Sequence, residues 1–157
     1  MGTYLDAPAG ADPVVDPVTG LATLSYLVER IQDLQAKART EPGPARAVLA
    51  DKVLLVVSIA GGNDRHASLF FRARTASLLR ALFASEETIV LLRPGLFAVL
   101  TTDRPDFATE RTFLVSMLAE FEVRARVWTE RVPADAAATA NLLSSLLLAG
   151  DWNGDDS

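Results

Sequence analysis

Cysteine is absent from this chain, and histidine occurs once, at His66. The first absence excludes a disulfide framework and any thiolate zinc site. The second excludes a histidine metal cluster and leaves a Ser-His-Asp triad a single candidate base. Lys and Arg are missing from the first fifteen residues, which also lack an apolar core, so no secretory signal is visible. Long apolar runs are lacking too. The longest uncharged stretch, Ala136 to Gly150, carries Thr139, Asn141, Ser144 and Ser145, and is too short and too polar to span a bilayer. A net charge of −5 argues against a general nucleic-acid binder, whose affinity comes from clustered cations. The cysteine-free composition suits a reducing cytoplasm, the expected location.

What is present fits one domain. The chain has 157 residues, half of them apolar and 22% charged, enough for one core and too few for two. Charge is unevenly placed. Between Arg65 and Ser85 stand Arg65, Arg72, Arg74 and Arg80 with no acid, while residues 151–157 hold Asp151, Asp155 and Asp156 with no base. Residues 1–15, rich in Ala, Gly, Pro and Asp, read as a flexible leader, residues 16–150 as the domain, and residues 151–157 as an acidic tail.

Periodicity supplies the elements. Leu21, Leu24, Leu27, Ile31, Leu34 and Ala38 recur at helical spacing, and Glu41-Pro42-Gly43-Pro44 stops that helix. Val53 to Ile59 is a continuous β-branched and leucine run, the pattern of a strand buried on both faces. Leu69, Ala73, Ala76, Leu79 and Phe83 form a second helical stripe. Thr88–Leu92 and Leu96–Leu100 flank Arg93-Pro94-Gly95 as a hairpin, with Pro fixing φ at the first corner and Gly supplying a positive φ at the second. A helix is expected over 106–120, a half-exposed strand over 123–128, and a last helix from Pro133 or Asp135 to Gly150. The order is that of an α+β, ferredoxin-like βαββαβ sandwich, four strands with helices on one face, preceded by an N-terminal helix. That fold names no function.

Asp16-Pro17-Val18-Thr19-Gly20-Leu21 resembles the D-x-L-T-G-L motif that opens GGDEF domains, the catalytic domains of diguanylate cyclases, with Val18 in place of Leu. Ala76-Ser77-Leu78-Leu79-Arg80 resembles the family's A-x-x-L-R, and Phe97-Ala98-Val99-Leu100 its F-A-V-L strand. Arg93 to Phe97 stands where G-G-D-E-F would be. The resemblance covers roughly residues 16–148 and implies the GGDEF, nucleotide-cyclase-like fold. In the family, two GTP molecules on opposed domains are joined into cyclic di-GMP with Mg²⁺, held by carboxylates from the first strand's end and the hairpin turn. The corresponding positions here are Ser58 or Ala60, and Gly95 and Leu96. Arg93 and Pro94 replace the glycines that admit the nucleotide. Asn63-Asp64 is out of register with the guanine-binding pair. Ala84 and Glu87 fall where the product-site R-x-x-D belongs, and the chain ends before the family's A-D-x-A-L-Y-x-A-K helix and closing strands.

These departures imply a degenerate domain that is not an enzyme and uses no metal or cofactor. Arg72, Arg74, Arg80 and Arg93 are candidate binding residues for an anion or an acidic partner; the alternative is a solvated face whose stems cover the core edge. The first helix also reads as about two and a half heptads, short of a coiled-coil seam. In the last helix, Leu142, Leu143, Leu146 and Leu147 lie on more than one face and are candidate interface residues, or core. Trp152 is a candidate docking anchor, or folds back on that helix. The expected role is protein interaction or scaffolding, with self-association as a homodimer, no nucleic acid and no membrane insertion. The alternative is a non-catalytic sensor of GTP or cyclic di-GMP.

Overall fold

The computed structural model describes residues 15–16, 19–41, 43–60, 65–83, 88–103 and 105–149. In order these form β1 (Ala22–Thr23), α1 (Leu24–Thr40), α2 (Pro44–Ala50), β2 (Lys52–Ile59), α3 (Arg65–Leu82), β3 (Thr88–Arg93), β4 (Leu96–Thr102), α4 (Phe107–Glu120), β5 (Ala125–Arg131) and α5 (Ala136–Ala149). The five strands make one sheet in the order β1-β3-β4-β2-β5. The β3-β4, β4-β2 and β2-β5 pairs are antiparallel, and β1 adds to β3 in parallel. Without β1 this is the ferredoxin-like order expected from the sequence.

The sheet differs from that expectation in being covered on both faces. Alternate residues of β2 enter separate clusters. Leu55, Val57 and Ile59 join Ala76, Leu79 and Phe83 of α3 and Leu114 and Leu118 of α4. Leu54 and Val56 join Leu27, Ile31 and Ala38 of α1, Leu49 of α2, and Leu143 and Leu146 of α5. Helices on both sides explain why β2 carries almost no polar residue, whereas β5, at the sheet edge, buries only Val127 and leaves Arg126, Thr129 and Arg131 exposed.

Two elements were not apparent in the residue pattern. Strand β1 is two residues long and exists only by pairing Ala22 with Val90 and Thr23 with Leu91. Helix α2 starts where the Pro-Gly-Pro run was expected only to break the chain. Gly43 takes φ 97°, which an L side chain resists, and Pro44 then occupies the first turn, where its missing N–H is no loss. Strand β5 also begins later than expected and runs to Arg131.

One buried polar link joins the two long helices of the second face. Gln35, 2% exposed, donates from Nε2 to the Pro133 carbonyl and to Thr139 Oγ1, both at 2.9 Å. Asp135 caps α5 by accepting from the Ala138 amide at 2.8 Å. Among the described residues, no helix is long and apolar enough to cross a membrane.

Candidate functional site

The opening motif folds into a polar knot just before β1. Asp16 Oδ2 accepts from the Thr19 amide at 2.8 Å and from Thr19 Oγ1 at 2.9 Å. Thr19 Oγ1 in turn accepts from the Leu21 amide at 3.1 Å, and the Gly20 amide donates to the Asp16 carbonyl at 2.7 Å. A short acid side chain and a β-branched hydroxyl three residues apart suit this turn, because each satisfies backbone donors that the loop cannot pair otherwise. Thr19 is 5% exposed and Leu21 4% exposed, so the knot is seated in the fold.

Arg80 locks the knot to α3. Its guanidinium donates from Nη2 to the Thr19 carbonyl, and a Cβ placed on Gly20 would lie 2.7 Å from the same nitrogen. Gly20, at φ 74°, is therefore needed both for its conformation and for the space it leaves. The Asp-x-x-Thr-Gly-Leu turn and the Leu-Arg of α3 form one structural unit.

The second region is the hairpin turn. Gly95 has φ 87° after Pro94, as the sequence requires of a Pro-Gly corner. Such a corner splays a two-residue hairpin, and the strands absorb this through a register shift between Leu91 and Arg93. The turn sits against the end of β2. Ile59 donates its amide to the Gly95 carbonyl at 2.8 Å, and Ser58 is in register with Leu96. The first-strand and turn positions singled out in the sequence are thus brought together.

Their surroundings are apolar. Ser58, Leu96 and Phe97 are each 0% exposed and Ala60 is 8% exposed. A Cβ on Gly95 would lie 3.2 Å from the Ile59 carbonyl oxygen. Leu96 and Phe97 point to opposite faces and fill both clusters. Among the described residues no group of three or more His, Asp or Glu side chains could hold a metal ion.

The four candidate arginines do not converge. Arg80 is bound to the opening knot. Arg93 donates from Nε to the Leu147 carbonyl at 3.1 Å, so it caps the C-terminal turn of α5. Arg74 lies 4.2 Å from the ring centre of Phe121 and 5.8 Å from that of Phe70. Arg72 is half-buried, its Nε enclosed without a partner among the described residues. Only Arg93 borders the open cleft beside the turn, a space of about 560 Å³ lined also by Asp16, Ser25, Val28, Leu92 and Pro94.

The α5 leucines proposed for an interface are largely taken up by their own domain. Leu143 and Leu146 are buried, and Leu142 and Leu147 pack on the same cluster. Leu148, 79% exposed, is the bare one. Trp152 and the other residues of the acidic tail lie outside the described residues, as do Asn63, Asp64, Ala84, Glu87 and Gly150. Residue pattern did not single out the exposed aromatics on α3 and α4. Phe70 is 53% exposed, Phe113 46% and Phe121 36%.

No family model matches the sequence, and no curated protein matches it. Solved structures do. The GGDEF domain of FimX from Pseudomonas aeruginosa superposes with a TM-score of 0.59 at 15% identity, over 91% of this chain and 94% of that one. The GGDEF domain of DgcB from Caulobacter crescentus, in complex with c-di-GMP, gives 0.59 at 13% identity over 88% of each chain. The diguanylate cyclase SiaD of Pseudomonas aeruginosa, in complex with its activator SiaC, gives 0.58 at 14% identity, over 87% of this chain and 57% of that one. The chain has the GGDEF-domain fold.

Proposed function

We propose that this domain makes no cyclic dinucleotide and works through its surface, as a cytoplasmic protein-interaction or scaffolding module that associates with itself. The observation that carries the reading is Leu96. At one of the two positions where the turn would need a carboxylate, its side chain is 0% exposed and packs with Leu54, Val56 and Leu100. A glutamate there would bury an unpaired charge among leucines and valines, a loss of several kcal/mol, of order 3 or more. Gly95, at the other position, has a positive φ and a carbonyl close behind it. This packing supports the reading that the turn holds no metal-binding pair.

The interaction part draws on the α3–α4 surface. Arg74 over Phe121 and Phe70, with Phe113 also exposed on α4, has the aromatic and arginine composition of binding hot spots. SiaD bound to its activator offers a precedent for a protein partner on a protein of this fold. Purified protein given GTP and Mg²⁺ should yield no cyclic dinucleotide, and light scattering should give a mass above the monomer that Phe70→Glu lowers. Product formed at turnover rates would end the non-catalytic reading. A monomer at every concentration would end the self-association.

A second reading, a nucleotide sensor without catalysis, is favoured by the open cleft beside Arg93 and by the fold's occurrence in complex with c-di-GMP. Calorimetry with GTP and with cyclic di-GMP separates the two. Heat that saturates with ligand would favour the sensor, and its absence at high ligand concentration the module.

A further inference from the structure

The two edges of the sheet are built differently. Edge strands are commonly blunted by shortness, by proline or by a bulge. Strand β1 is two residues long, whereas β5 runs for seven residues without proline, glycine or a register shift against β2. Among the described residues β5 has no strand neighbour other than β2. The Ala60 amide donates to the Arg124 carbonyl and the Val132 amide to the Lys52 carbonyl, so Arg126, Trp128 and Glu130, at the same parity, turn their backbone groups toward β2. The alternation of an antiparallel ladder then turns the N–H and C=O of Ala125, Val127, Thr129 and Arg131 to the open edge. Among the described residues no backbone hydrogen bond is made to those groups. Helix α4 stands back from them, since a groove of about 430 Å³ lies between its Val115 and Ala119 and the start of β5 at Ala125 and Arg126.

We propose that β5 pairs antiparallel with β5 of a second copy of this chain, with Trp128 on the twofold axis, so that the two sheets join into one. The contact rests on the self-association proposed above and gives it an interface separate from the α3–α4 surface. Arg126, Trp128 and Glu130 share one face of the strand. Trp128 packs on the second cluster and donates from Nε1 to Glu130 Oε2 at 3.0 Å, and the Arg126 guanidinium lies 5.8 Å from its ring centre. This row reads positive, aromatic, negative, and is its own complement when reversed. Across the twofold, Arg126 stands opposite Glu130 of the partner subunit and Trp128 opposite Trp128 of the partner subunit. These are the non-hydrogen-bonded pairs, where side chains approach most closely. Val127 then faces Thr129, and Ala125 faces Arg131, at the hydrogen-bonded positions, so each outward amide and carbonyl of β5 finds a partner. Moving the axis to Val127 or Thr129 would set Trp128 against Arg126 or Glu130 and shorten the paired run.

The test uses the full chain, which has no cysteine, so introduced thiols report one contact. Arg126→Cys and Glu130→Cys chains, mixed and mildly oxidised, should give a disulfide-linked dimer, because the two positions face each other with Cα atoms about 4.5 Å apart. Either chain alone should give none, its two thiols lying about 13 Å apart along the strands. In sedimentation, Thr129→Pro removes an amide that points to the open edge, and should lower the mass while circular dichroism shows a folded domain. Arg126→Glu should raise the dissociation constant about tenfold, and adding Glu130→Arg should restore it by exchanging the charges. The dimer should persist in the Phe70→Glu chain. No linked dimer from the mixture, or equal linking by either chain alone, overturns the proposal. A mass above the monomer that Thr129→Pro leaves unchanged, or a monomeric Phe70→Glu chain, overturns this contact and leaves the proposed function standing. A native chain that is monomeric at every concentration overturns both.

Discussion

The opening knot at Asp16–Leu21 and the hairpin turn at Arg93–Phe97 both lie beside β3, and Asp16 lines the same cleft as Arg93 and Pro94. They are held in opposite ways. The knot keeps its polar residues and uses them on backbone donors and on Arg80. The turn keeps its shape through packing and strand register, with apolar side chains at its core positions. A polar turn can thus be held by side-chain hydrogen bonds, while a hairpin turn can be held by burial of apolar side chains.

Urea unfolding of four variants would sharpen or break this contrast. Phe97→Ala removes a fully buried ring and should destabilise the domain by about 3–5 kcal/mol. A loss near 1 kcal/mol would mean that the turn region is not packing-dominated. Next, Asp16→Ala leaves the Thr19 amide and hydroxyl without their acceptor, for an expected loss of about 1–3 kcal/mol. Were it neutral, the knot would be an incidental contact and Arg80 no lock.

Arg93→Ala removes one hydrogen bond from the end of α5, with an expected loss of about 0.5–1.5 kcal/mol, visible as a lower urea midpoint with an unchanged slope. A slope change would show that more than a cap is involved. The smallest effect belongs to Pro94→Gly, which acts mainly by freeing the unfolded chain and should lower stability by about 0.4–1 kcal/mol. If it matched Phe97→Ala, the corner rather than the core would be setting the hairpin.

Much of the fold was legible because its signals are local. The β-branched run of β2, the Pro-Gly corner and the leucine spacings of α1 and α3 each report on a few neighbouring residues. The candidate site was less so. Arg93 and Arg80 have the residue type of anion binders, yet one caps α5 and the other spans to Thr19, contacts that join residues 54 and 61 positions apart. The leucines of α5 are too many for one visible face, but the domain buries Leu143 and Leu146 and partly covers Leu142 and Leu147. Gln35 gave no signal at all, since only the approach of α1 to α5 makes its side chain a buried link.

The sequence by itself determined the order of the helices and strands other than β1 and α2, the Pro-Gly corner and the conformations that its glycines permit, because backbone preference and side-chain period act over a few residues. Only the tertiary structure decided that both faces of the sheet are covered, that Leu96 is core and that Arg74, Arg80 and Arg93 each serve a different partner. Burial and hydrogen bonding between distant segments depend on which surfaces meet, and that is set by packing of the whole domain.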